Sequence, residues 1–145
     1  MFKYSTGFKN AALATASVKS EFENMVLKLY GGDIPATADA AEAGTLLCTI
    51  TGPAAANLNL AAAAAGGQIE KLSSQTWSGV AVATGTATHF RLETASDNQT
   101  ESTTQKRIQG TIGVTGGFDL QMSSTSIASG ETYTIDYFVL AFLGG

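Results

Sequence analysis

Charge is what this chain has least of: Asp, Glu, Lys and Arg make up 14% of its 145 residues, against about 25% in an average soluble domain. The formal net charge is −4, and the eight basic residues are scattered singly apart from the Lys106-Arg107 pair. Such a chain lacks the basic stripe that a DNA- or RNA-binding face requires. Histidine occurs once, at His89, and cysteine once, at Cys48. A His-based triad would have to run through His89, and a His/Cys metal site finds no second histidine. Cys48 can close no internal disulfide. No apolar run approaches the roughly 18 residues of a membrane-spanning helix, and the longest, Tyr137 to Leu143, is strand-sized. A secretory leader is not expected either, because Lys9-Asn10 breaks the apolar stretch that should precede Ala14-Thr15-Ala16.

The remaining catalytic signals are equally thin. Ser96-Asp97-Asn98 spells one element of the penicillin-recognising serine enzymes, but neither S-x-x-K nor K-T-G accompanies it. Gly113, Gly116 and Gly117 lack the spacing and the lysine of a phosphate loop and read as turn residues. Glu93, Asp97, Glu101, Asp119 and Asp136 form a pool of carboxylates from which the spacing selects no pair. Asn98-Gln99-Thr100 fits a glycosylation sequon that has no secretory context. The chain is expected to be no enzyme and to hold no cofactor or metal. The lone Trp77 is expected to anchor a core or an interface.

What the chain does have is alternation. Ser5 or Thr6 can cap a short helix through Phe8, Ala11, Ala12 and Thr15, and a second turn over Val18 to Asn24 contains the capping-box spelling Ser20-Glu21-Phe22-Glu23. Met25 to Tyr30 reads as a strand, and Asp33 to Gly44, with Pro and Gly and no period, as an ordered surface loop. From Thr45 onward, short strands alternate with small-residue turns. Leu46, Cys48 and Ile50 share one face of the first; Phe90 and Leu92 point inward from another while His89, Arg91 and Glu93 point outward. With Ile108 and Ile112 these make the expected core. The run Ala61 to Ala65 continues a strand begun at Asn57 and packs tightly against neighbours. Ala95 to Gln105, rich in Ser, Thr, Asn and Gln, is expected to be an exposed, mobile loop. Tyr133 to Leu143 is apolar on both faces and must be covered on both, by the sandwich interior on one and by a neighbouring subunit or the Phe8 and Phe22 faces of the N-terminal segment on the other. Eight or nine short strands with turns about every 8–12 residues favour a sandwich or barrel.

Tyr4-Ser5-Thr6-Gly7, Tyr30-Gly31-Gly32 followed by Pro35 to Ala41, Leu46 to Ile50, Trp77-Ser78-Gly79, Ala83 to Ala87 and Arg107 to Gly113 together resemble the small virion structural proteins of tailed bacteriophages. The resemblance spans nearly the whole chain and implies a place in the virion; it carries no catalytic or ligand residues. The expectation is an all-β, jelly-roll-like β-sandwich with a short helical N-terminal segment, residues 1–24 forming a helical arm and 25–145 the sandwich. The expected function is capsid decoration, cementing the head by non-covalent contacts. A neck, collar or tail component and a carbohydrate-binding β-sandwich using Trp77 are the alternatives. Expected partners are the major capsid protein or neck and tail proteins, together with further copies of the chain in a homo-oligomer, and neither nucleic acid nor membrane. Phe8, Phe22, Trp77, Phe138, Leu140 and Phe142 are the candidate interface residues.

Overall fold

Ser5 fixes where the chain first becomes helical. In the computed structural model of the protein, which describes residues 1–141, the extended backbone of Ser5 and its hydroxyl, accepting from the Phe8 N–H, cap the helix α1 (Thr6–Ala14). The same hydroxyl oxygen accepts the Arg107 N–H at 2.8 Å and donates to the Gln105 carbonyl at 2.8 Å. The cap therefore also ties the helix to a distant loop. Gly7 lies under that loop, where a Cβ would sit 2.3 Å from the Thr104 carbonyl oxygen, an approach that only glycine allows. A second helix, α2 (Val18–Phe22), starts at Val18 as the sequence pattern indicates, but Ser17 and Ser20, not Ser20 and Glu23, form its capping box.

The strands follow in chain order: β1 (Lys3–Tyr4), β2 (Val26–Gly31), β3 (Thr45–Ile50), β4 (Gln68–Glu70), β5 (Trp77–Val80) and β6 (Gly85–Thr86). After them come β7 (His89–Glu93), β8 (Ile108–Gly113), β9 (Leu120–Gln121), β10 (Ser126–Ile127), β11 (Thr132–Ile135) and β12 (Val139–Ala141). The main sheet runs β1-β8-β7-β2-β3, with β9 added beside β8, and β5–β11, β4–β12 and β6–β10 form three two-stranded ladders. All pairings are antiparallel except β8 with β9. The protein is thus all-β in class, and α1 and α2 are its α-helices among the described residues.

Register across β2, β7 and β8 sorts the side chains into two rows. Leu27 pairs with Leu92 and Leu92 with Ile108; Leu29 pairs with Phe90 and Phe90 with Gly110. This apolar row faces the core, and the Phe90 ring occupies the space over Gly110, where a Cβ would meet it at 2.6 Å. The other row pairs Lys28 with Arg91 and Arg91 with Gln109, and Tyr30 with His89 and His89 with Thr111. A period of two residues puts these polar groups on the opposite face of the same sheet.

The core gathers Phe8 and Phe22 from the helices with Leu27, Leu29, Cys48, Ile50, Trp77, Phe90, Leu92, Ile108, Ile112, Phe138 and Leu140. Segment 1–24 is therefore built into the same core as the strands. Phe138 is its aromatic hub, with ring centroids 5.8 Å from Phe22, 5.7 Å from Trp77, 6.2 Å from Phe90 and 5.9 Å from Phe2.

Four expectations need correction. Leu47 takes the core place expected of Leu46, because the β2–β3 register shifts between Leu29 and Tyr30. Ala62 to Ala65 are exposed and lead into a turn at Gly66-Gly67, both at positive φ, rather than forming a packed strand end. The run from Tyr133 is broken into β11 and β12, with Tyr137 exposed between them. Ala95 to Gln105 is exposed along most of its length, as expected, but it is fastened at Asp97 and Thr100 by hydrogen bonds from Arg107.

Candidate functional site

The outward face expected of His89, Arg91 and Glu93 is closed. All three residues are fully buried, as are Arg107 and Gln109, and Lys28 and Asp97 are 5% exposed. Two loops cover this face. Residues 32–44 supply Glu42 and a series of backbone carbonyls; residues 94–106 supply Asp97, Gln99 and Thr100. Each loop is fastened by a buried ion pair, and the two are bonded to each other through Glu42 N–H to the Gln99 carbonyl and Ser102 N–H to the Asp39 carbonyl.

Glu42 makes the first fastening. His89 Nε2 lies 3.0 Å and 3.1 Å from its two carboxylate oxygens, Gly44 N–H donates to it at 2.8 Å, and Arg91 Nε stands 3.4 Å away. Arg91 also donates from Nη2 to the Ala40 carbonyl at 2.8 Å and from Nε to Gln109 Oε1 at 3.0 Å, while Gln109 Nε2 donates to the Pro35 carbonyl at 2.7 Å. Burial opposes the Glu42 charge, but the His89 and Gly44 hydrogen bonds and Arg91 outweigh it and hold the carboxyl below its usual range. The irregular backbone of this loop can be buried because arginine and glutamine side chains satisfy its carbonyls.

Arg107 makes the second. Its Nε and Nη2 donate to the two oxygens of Asp97, each at 2.7 Å, and Nη2 donates again to the Thr100 carbonyl at 2.8 Å. This is the bidentate geometry in which arginine binds carboxylate most strongly. Burial again works against Asp97, and the Arg107 hydrogen bonds prevail, holding its carboxyl low. The Asp97 hydrogen bond in turn raises the Arg107 guanidinium.

Between the two pairs lies Glu93. Its Oε1 accepts from Lys28 Nζ at 2.9 Å, Tyr30 Oη at 3.2 Å and Gln99 Nε2 at 3.2 Å. Its Oε2 has no hydrogen-bond partner, and neither has Arg91 Nη1; among the described residues these are the two buried side-chain atoms left over. Burial is the leading influence on Glu93 and raises its carboxyl, against the opposing pull of Lys28. The formal charges within the cluster balance, with Lys28, Arg91 and Arg107 set against Glu42, Glu93 and Asp97.

The residues expected at an interface are placed elsewhere. Phe8, Phe22, Trp77, Phe138 and Leu140 are each at most 4% exposed and pack within the chain, a correction that follows from the helices covering the second face of the C-terminal segment. Phe142 lies outside the described residues. Trp77 is sealed in, with Nε1 donating to Gln75 Oε1 at 2.7 Å and the Lys71 ammonium 5.6 Å from its ring, so the glycan-stacking role has lost its residue. What the helices do leave at the surface is apolar: Leu13 is 86% exposed, beside a groove of about 270 Å³ lined by Tyr4, Phe8, Ala12 and Val18. Tyr4 and Val18 also border a second groove of about 320 Å³ with Ile69 and Leu140.

Sequence reasoning missed the ionic cluster. Its signal was present in Lys28 and Tyr30, polar tips in an otherwise apolar strand that occupy the same alternate row as Arg91, His89 and Gln109 once β2, β7 and β8 pair. No family model, curated protein or solved structure matches the chain.

Proposed function

We propose that the protein is a structural component of a tailed-phage virion, bound in many copies to the head as a decoration or cement protein. The observation that carries this reading is the placement of charge. Three of the eight basic residues (Lys28, Arg91, Arg107) and three of the twelve acidic ones (Glu21, Glu93, Asp97) are buried, in a chain already poor in charge. The exterior keeps the other five basic and nine acidic residues, set among small neutral ones and exposed Leu13, Val80, Val82 and Tyr137. Neutral surface is cheap to desolvate when neighbours cover it, whereas surface charge keeps copies apart. The resemblance to phage virion proteins and a jelly-roll-like sandwich arrangement of the strands belong to the same reading, and they add location to a surface suited to binding.

The test is the copy number of the chain in purified virions, with heads assembled without it as the comparison. Decoration predicts hundreds of copies and heads that burst more readily on heating when the chain is missing. A handful of copies with unaltered head stability would move the protein to the neck or tail. Its absence from virions would overturn the proposal.

A further inference from the structure

We propose that Lys28 and Glu93 condense autocatalytically into an intramolecular isopeptide bond that staples β2 to β7. The two side chains lie on adjacent strands, are 6% and 0% exposed, and hold the Lys28 nitrogen 2.9 Å from Glu93 Oε1. Two residues fixed in one buried geometry react as if at very high concentration, since the entropy of encounter is already lost.

The two oxygens of Glu93 are prepared differently. Oε1 accepts from Lys28 Nζ, Tyr30 Oη and Gln99 Nε2, so it is the oxygen the lysine proton reaches and the one able to leave as water. Oε2 accepts no hydrogen bond and has the Arg107 guanidinium, Nε 3.9 Å away, to stabilise negative charge as it develops there. Burial favours the uncharged carboxyl at Glu93, which is the electrophilic form.

The reaction balances without any other reagent. The Lys28 ammonium passes one proton to Glu93 Oε1, giving a neutral amine and a neutral acid. The amine nitrogen attacks Cδ, the C–N bond forms, and charge moves onto Oε2. A second proton leaves the nitrogen for the Oε1 hydroxyl, the C–Oε1 bond breaks, the Oε2 charge returns to a carbonyl, and one water is released. No oxidation state changes. The product removes one positive and one negative charge from the interior, where each is costly to desolvate. It leaves two ion pairs intact, Arg91 with Glu42 and Arg107 with Asp97.

The experiment is the intact mass of the purified, folded and then denatured protein, followed by fragmentation of its peptides. The wild-type chain should be lighter than its sequence by one water and yield a branched peptide joining Lys28 to Glu93. Lys28→Met should have the full sequence mass, and Glu93→Gln should lose ammonia in place of water, by the same attack on an amide. If Lys28→Met does not fold, the branched peptide and the Glu93→Gln mass decide the matter. Wild-type protein at full mass after prolonged incubation in the folded state would overturn the proposal, leaving an ordinary ion pair. Loss of water that persists in Lys28→Met would do so as well.

Discussion

Glu42 and His89, 47 residues apart in sequence, meet under a loop that contains no regular secondary structure, with His89 Nε2 within 3.1 Å of both Glu42 oxygens. The loop is held by that contact and its neighbours. Its backbone has little else: few apolar side chains point inward, Ala38 being the buried one. The polar row of the sheet and the covering loops are therefore mutually dependent, each supplying hydrogen bonds that the other would lack if exposed.

Acid should loosen this arrangement. The Glu42 and Asp97 carboxyls are both lowered by folding from ordinary values of 4.5 and 3.8. Their contribution to stability is complete above those ordinary values and is lost as pH falls through the lower folded ones. Melting temperature measured across the acid range should drop in that window. Asp97→Asn should start lower at neutral pH and fall less steeply on acidification; a slope equal to wild type would show that Asp97 gains nothing from Arg107.

Removing one partner of the sealed pair is a harsher change than protonating it. Asp97→Ala leaves the Arg107 guanidinium buried without its carboxylate and should cost about 3–5 kcal/mol in denaturant unfolding. Deleting residues 98–101 should be comparably damaging, since Gln99 and Thr100 bond to Glu93 and Arg107. Tolerance of that deletion, the ordinary behaviour of an exposed loop, would show that these bonds contribute little.

Phe138→Ala should destabilise the protein by about 3–5 kcal/mol, the range for truncating a buried aromatic, because Phe138 touches four other aromatic rings. Sedimentation of the variant should show the same oligomeric state as wild type, because the ring packs within its own chain. Dissociation of an oligomer with unchanged unfolding free energy would place Phe138 at a subunit contact.

Cys48 is fully buried, and burial pushes its thiol up to about 11. Both access and thiolate are lacking, so thiol reagents should label it only at the rate of unfolding. Rapid labelling under native conditions would contradict the placement of β3.

Much of the fold was legible because it depends on local pattern. The Ser5 cap, the strand over Cys48 and Ile50, and the inward pointing of Phe90, Leu92, Ile108 and Ile112 all follow from hydroxyl capping and a period of two. The same period correctly separated His89, Arg91 and Glu93 from Phe90 and Leu92. It could not say what lies over the second face, because periodicity assigns residues to faces and not faces to solvent. The cover comes from contacts such as Gln109 with Pro35 and Arg91 with Ala40, separated by 74 and 51 residues, and nothing in the local sequence of an alanine-rich loop announces them. Leu46 was misplaced for a smaller reason: one bulge opposite Tyr30 moves the next side chain to the other face. Phe22, Trp77 and Phe138 were legible as anchors but not what they anchor, because residues able to hold a partner are the same ones able to hold the chain's own helices; within the chain they pack together in the core.

The charged row of the sheet is sealed by residues 32–44 and 94–106, which take Lys28, Arg91, Glu93, Asp97 and Arg107 out of contact with solvent. Amide hydrogen exchange of native protein, read at Glu42, Gln99 and Ser102, tests it most directly, since these N–H groups donate to the Gln99 carbonyl, Asp97 Oδ1 and the Asp39 carbonyl. The account predicts protection approaching that of the β2 and β7 amides, and its loss in Asp97→Ala. Exchange at the rate of an open loop in the wild-type protein would mean that the covering loops stand away from the sheet, and the claim would fail.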